Sequence, residues 1–150
     1  MSLKVVATNR KARHNYFLLD TYEAGIVLKG SEIKSIRGGQ ISLAQAYVTT
    51  DGQEAWLMNA HIAPYNEASR FNHDPVRPRK LLLHSSEIRK LSENVSKKGA
   101  TIVPLRVYLK DGLAKIEIAL AKGKKHYDKR AEIAKRDAQR ELDRRYKRRG

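Results

Sequence analysis

The chain contains no cysteine, which excludes disulfides, cysteine-ligated zinc and thiol catalysis together. Long apolar runs are also missing. Runs such as Leu81–Leu83 fall far short of the ~20 residues a bilayer-spanning helix needs. The opening stretch, Met1 to Val6, lacks the apolar segment of a secretory signal. Catalytic motifs are scarce too. The five histidines (His14, His61, His73, His84, His126) have no metal-ligand spacing. There is no glycine-rich phosphate cradle and no nucleophile elbow. Ser31-Glu-Ile-Lys34 matches the S-x-x-K pattern of serine acyl-enzymes, but the companion motifs are absent. We read Ser31 as a helix cap and Lys34 as exposed. The expectation is a protein without catalytic residues, metal or cofactor.

What is abundant is positive charge. Lys and Arg total 31 against 16 Asp and Glu, a formal net of +15 on 150 residues. A compact body so charged repels itself, so the charge points to a polyanionic partner. Nucleic acid comes first and an anionic membrane second. The charge is uneven: residues 122–150 carry a net of +8 and residues 1–121 a net of +7. The natural cut lies at Lys122–Gly123, giving a body over 1–122 and a basic tail over 123–150. In the tail, Glu132/Arg136 and Glu141/Arg145 are i,i+4 pairs, each contributing about 0.2–0.5 kcal/mol to a helix. The apolar stripe Ala134, Ala138, Leu142, Tyr146 is thin. The tail is therefore expected to be helix-competent, loose when free, and helical on its partner. The same thin stripe argues against membrane insertion.

The body reads as mainly β. Alternating runs flank Asp111-Gly112, a favoured two-residue hairpin turn. With those two residues as the turn, Leu109 faces Ala114, Val107 faces Ile116, Leu105 faces Ile118 and Val103 faces Leu120. On the other face Arg106 meets Glu117 and Tyr108 meets Lys115. Pro104 implies an edge or a bulge near the strand start. A second hairpin is expected around Asp51-Gly52, joining 46–50 to 54–59. An earlier extended pair is expected over 16–22 and 24–29. Six strands with short connections suggest an antiparallel barrel or sandwich. Helices are expected over Ser31–Arg37, stopped by Gly38-Gly39, and from Ser85 or Ser86 to Lys98, stopped by Gly99. Residues 64–79 read as a long loop.

Binding chemistry is what remains. Arg10-Lys-Ala-Arg-His14 is a basic run next to Tyr16 and Phe17, and Arg77, Arg79 and Lys80 form another. Cations contact phosphates while aromatics stack on unpaired bases. RNA binding is the class-level inference. A generic single-stranded RNA-binding barrel of the cold-shock kind is one form of it.

Several ordered motifs make the reading more specific. They are Asn9-Arg-Lys-Ala-Arg-His14 with Tyr16-Phe17, Tyr22-Glu-Ala-Gly-Ile26, and Gly30-Ser-Glu-Ile-Lys-Ser-Ile-Arg37. Farther on come Arg79-Lys-Leu-Leu-Leu83, Ala121-Lys-Gly-Lys-Lys125 and Asp128-Lys-Arg130. In this order the chain resembles the small protein B (SmpB) family along nearly its whole length. The resemblance implies an oligonucleotide-binding (OB) type barrel with accessory helices in a cytoplasmic protein. It implies binding to the tRNA-like domain of transfer-messenger RNA (tmRNA) and delivery to stalled ribosomes for trans-translation. Elongation factor Tu would join through the alanylated tmRNA. The RNA-gripping positions it implies are Glu23, Gly25, Glu32, Lys34, Leu82 and His84; the basic residues Lys11, Arg13, His14, Arg37 and Lys80 complete the candidate tmRNA site. The tail would meet small-subunit RNA at the decoding centre and messenger channel through Gly123, Lys124, Lys125, Tyr127, Asp128, Lys129 and Arg130. Some family members carry Asn where this chain has His84, and His where it has Tyr127. Glu23 and Glu32 either accept hydrogen bonds from bases or pair with Arg13, Lys34 or Arg37 to hold the fold.

Overall fold

The structure is a computed structural model that describes residues 3–65 and 72–123. The expected tail helix and the ribosome contacts at Lys124, Lys125, Tyr127, Asp128, Lys129 and Arg130 lie outside the described residues.

Chain order is β1 (Leu3–Thr8), α1 (Arg10–Asn15), β2 (Tyr16–Ile26), α2 (Gly30–Arg37), β3 (Ile41–Ser42) and β4 (Tyr47–Thr50). Then come β5 (Ala55–Met58), β6 (His61–Ile62), β7 (Arg79–Leu82), α3 (Ser85–Lys98), β8 (Thr101–Lys110) and β9 (Leu113–Gly123). The large sheet runs β1-β8-β4-β5-β7-β2-β9, and β8 also pairs with β9. That last pairing closes β8, β4, β5, β7, β2 and β9 into an OB-like antiparallel barrel of six strands, with β1 added outside on β8. Closure removes the free edges that an open sheet of this size would expose. Strands β3 and β6 form a separate two-residue ribbon. No helix among the described residues is long and apolar enough to cross a membrane.

The six barrel strands are not the six expected ones. Residues 16–26 form one continuous strand rather than a pair, because Tyr22-Glu23-Ala24 offers no turn former. The irregularity in β2 is instead a register shift against β9 between Leu18 and Thr21. The sixth strand is β7, which the basic run at Arg79 and Lys80 had masked. Helix α1 was hidden in the same way by the run from Arg10 to His14.

The β8–β9 hairpin turns on Asp111 and Gly112, both with positive φ (51° and 81°), as a type I′ turn requires. Register follows expectation from Lys110↔Leu113 to Arg106↔Glu117. It then slips by one residue: Pro104 faces Ile118, Val103 faces Ala119 and Ile102 faces Leu120. The expected pairs Leu105–Ile118 and Val103–Leu120 do not form. Pro104 cannot donate to the ladder, and a bulge accommodates it. Asn9 takes up the bulge carbonyls, its side chain donating to Pro104 O (2.9 Å) and its backbone N–H to Leu105 O (2.7 Å).

A one-residue slip moves side chains to the opposite face. Val103 and Leu105 therefore leave the barrel interior and join Ala119 and Ala121 in a second small core under Ala12 of α1. The interior keeps Ala24, Val48, Leu57, Leu81, Ile102, Val107, Ile116, Ile118 and Leu120. Leu91 of α3 and Ile36 of α2 pack on the same core.

Helix α2 begins one residue earlier than expected, with Lys29 as N-cap. The Glu32 carboxylate accepts the Lys29 backbone N–H at 2.7 Å, so Glu32 replaces Ser31 in the capping role. Ser31 lies in the first turn, and its hydroxyl is 2.8 Å from His73 Nδ1. His73 Nε2 is 2.8 Å from Ile62 O. A carbonyl only accepts, so Nε2 donates to Ile62 O. This chain of bonds ties the segment before β7 to α2. Helix α3 spans Ser85–Lys98, with Gly99 in the left-handed conformation (φ 68°).

The least expected part of the interior is ionic. Arg79 and Glu32 are both fully buried, with Arg79 Nε 2.7 Å from Glu32 Oε2. Arg77 also binds Glu32 through Nη2 and through Nε at 3.1 Å. Arg79 then donates to Ala60 O (2.6 Å), Pro75 O (3.1 Å) and Asp74 O (3.3 Å). Burial pushes the Glu32 carboxyl up, but hydrogen bonds from Arg77, Lys29 N–H and Arg79 outweigh it and hold the group below its ordinary value of 4.5. A depressed carboxyl stabilises the fold above its unfolded pKa, and that stability is lost as pH falls through the folded pKa. Urea midpoints are therefore expected to decline as pH drops below about 4.5. In Glu32→Gln that acid-limb slope should be shallower; an unchanged slope would assign it to other groups.

Candidate nucleic-acid interface

Four neighbouring barrel strands present one outer face. Since Ala24, Leu81, Val107 and Ile116 point into the core, their neighbours point out. Register then sets Leu82 beside Gly25, Gly25 beside Lys115, and Lys115 beside Tyr108. A second row runs Glu23, Glu117, Arg106. Where β7 leaves the barrel to start α3, this face deepens into a groove of about 560 Å³.

The groove brings together Glu23, Gly25, Lys80, Leu82 and His84, five of the eleven residues expected in the RNA site. Gly25 sets its floor. A Cβ there would lie 3.4 Å from Leu82 Cβ, in van der Waals contact with it. Leu82 is 55% exposed, an unusual state for a Leu in the middle of a polar concavity and a natural apolar plane for a base or ribose. Lys80 pairs with Glu54 at 3.2 Å. His84 is exposed at the N-cap of α3, where its N–H donates to Glu87 at 3.0 Å.

Glu23 accepts a hydrogen bond from the Tyr108 hydroxyl and sits 3.9 Å from Lys110 Nζ. Burial and then the bond to Glu23 push the Tyr108 hydroxyl well above its ordinary range. Arg106 stacks on the Tyr108 ring at 5.2 Å.

The other six expected residues do not line this groove. Lys11, Arg13 and His14 stand exposed on α1. Lys34 and Arg37 are exposed on α2, with Lys34 Nζ 5.3 Å from the Tyr65 ring. Ser31 and Lys34 are thus engaged with different partners. Glu32 is inside the protein, and its partners are Arg77 and Arg79 rather than Arg13, Lys34 or Arg37. Gly123 ends β9 opposite Tyr16. No group of three or more His, Cys, Asp or Glu that could hold a metal occurs among the described residues.

Lys115 lines the groove and Tyr108 bonds to Glu23; neither was expected there. The hairpin register did pair them, but on an expected solvent face where Tyr108 is in fact buried. That β2 would lie alongside β9, bringing Gly25 and Glu23 next to them, has no local signature in the sequence.

Comparison with known proteins places the chain among relatives. Residues 6–148 match the family described as SmpB protein. A protein named SsrA-binding protein from Desulforudis audaxviator is 57% identical over 141 residues, covering 94% of this chain and 92% of its own. One of the same name from Persephonella marina is 58% identical over 147 residues, covering 98% and 97%. A chain of a solved structure described as "tmRNA-SmpB: a journey to the center of the bacterial ribosome" superposes with a TM-score of 0.66 at 48% identity. That match covers 78% of this chain and 82% of the other.

Proposed function

The chain belongs to the SmpB family, and from that premise we propose that it is a non-catalytic RNA-binding adaptor for tmRNA in trans-translation. The observation that carries this reading is the groove. Four residues named from the resemblance alone (Glu23, Gly25, Leu82 and His84), together with Lys80 of the basic run, line a single concavity on the outside of an OB-like barrel. Groups that interact only with RNA have no folding reason to converge. Exposed Leu82 is the clearest case, since its burial would be worth about 1.5–3 kcal/mol.

In this reading the groove reads bases and ribose. The exposed cations of α1 and α2 contact phosphates and set orientation. Glu32 acts from inside, by fixing α2 and the start of β7. The basic tail over 123–150 forms a second RNA surface that follows the empty messenger channel and decoding centre of the small subunit. Elongation factor Tu joins through alanyl-tmRNA.

Competition tests the proposal. Labelled tmRNA should stay bound in a large excess of bulk tRNA, and Leu82→Ser should weaken it roughly tenfold, the loss of an apolar contact of about 1.4 kcal/mol, without lowering the thermal midpoint. A generic single-stranded RNA barrel would instead show displacement by bulk tRNA and a steep salt dependence for both RNAs.

A further inference from the structure

The groove is poorly suited to phosphate. Its lining carries Glu23, Glu54 and Glu87 against Lys80, Lys115 and His84, and Lys80 already faces Glu54. On a chain of net +15, this is a nearly neutral patch. A patch that neutralises few phosphates gains little from counterion release, so its contribution must be directional hydrogen bonding.

Glu23 is built for such a bond. Its side chain is 44% exposed. Both of its contacts, the Tyr108 hydroxyl and Lys110 Nζ, fall on Oε2. Among the described residues none bonds Oε1. Tyr108 itself is only 3% exposed. Its ring is clamped under the Arg106 guanidinium, and it reaches diagonally across β9 to Glu23. A rigid donor on one oxygen holds an otherwise flexible glutamate and leaves the other oxygen as a fixed acceptor. A carboxylate oxygen accepts but cannot donate, so it selects donor groups and repels phosphate. Exposed Leu82 lines the same groove and offers the plane against which an unstacked base would lie.

We propose that Tyr108 is a positioning residue for RNA recognition: its hydroxyl holds Glu23 so that the free carboxylate oxygen accepts a hydrogen bond from an amino or imino group of a nucleobase. The inference rests on the tmRNA reading above. Its signature is specificity rather than bulk affinity.

The test uses the full chain with two probes, a transcript of the tRNA-like domain of tmRNA and bulk tRNA. Wild type must prefer the first; equal affinity would end the tmRNA reading by itself. Given that preference, Y108F should lose about tenfold in affinity for the tRNA-like domain. Its affinity for bulk tRNA should stay within about twofold. In an E23Q background, Y108F should cost nothing further, because the group it positions is gone. K110M, an exposed change that spares the core, should cost about two- to threefold and likewise nothing beside E23Q. Losses from Y108F and E23Q that multiply independently would overturn the proposal. So would a Y108F loss equal for both RNAs. If Y108F fails to fold, K110M decides, and a K110M loss that persists in E23Q counts against it.

Discussion

Arg79→Ala is expected to destabilise the protein by about 3–5 kcal/mol, the usual cost of removing one partner from a buried ion pair. Domains of this size are stable by only about 5–15 kcal/mol, so the variant should sit near the edge of folding. The physical chain is short. Arg79 is fully buried and neutralises Glu32, which has no water to turn to. Its other donors satisfy the carbonyls of Ala60, Asp74 and Pro75. Truncation leaves a buried carboxylate with only Arg77 and the Lys29 N–H, takes the guanidinium from Ala60 O, and opens a void; Asp74 O and Pro75 O keep the backbone N–H groups of Arg77 and Ile62. Arg79→Lys keeps the charge but not the planar fork, and should fall between wild type and Ala. Urea unfolding followed by circular dichroism reads all three. A loss below about 1 kcal/mol for Ala would mean that water or rearrangement replaces the guanidinium. The functional consequence is indirect. This cluster fastens the start of β7 to α2, so RNA affinity and stability should fall together, unlike in Leu82→Ser.

Deleting residues 124–150 should have the largest effect on activity. Affinity for tmRNA is expected to stay within about threefold, while peptide tagging on stalled ribosomes is abolished. The cut falls after Gly123, the last residue paired in β9, so the barrel keeps its closing hairpin. It removes 12 Lys and Arg and five Asp and Glu, a net of +7. If those charges served tmRNA, affinity at low salt would collapse and the salt slope would flatten by ~0.9 for each lost phosphate contact. Filter binding across a salt series, beside a tagging assay, separates the two outcomes. Retained tagging would remove the tail from ribosome recognition; a collapse of tmRNA binding would remove the division between the two RNA surfaces.

Local chemistry explains which parts were legible. The Asp111-Gly112 turn and the alternation on both sides gave the β8–β9 register as far as Arg106, because a hairpin is a contact between near neighbours. Gly99 after a 3.6-period stripe gave the end of α3. Beyond that the patterns misled for identifiable reasons. Pro104 announced a bulge, but not that the slip would send Val103 and Leu105 to a second core. Cations in Arg79-Lys80 and in 10–14 concealed a strand and a helix, because charge is read as surface. Arg79 is the opposite, the largest fully buried side chain among the described residues.

What the sequence determined by itself was the uneven charge, the antiparallel β character, the turns that fold neighbouring strands together, and, through ordered motifs, the family. Only the tertiary structure decided that Glu32 lies inside and Glu23 outside, and that Gly25 is flanked by Leu82 and Lys115. It alone brought the Tyr108 hydroxyl to Glu23. The reason is physical: pairing between strands remote in sequence is chosen by which closed arrangement buries the most apolar surface and leaves the fewest polar groups unmet. That choice is made by the whole barrel at once, and no short window of residues contains it.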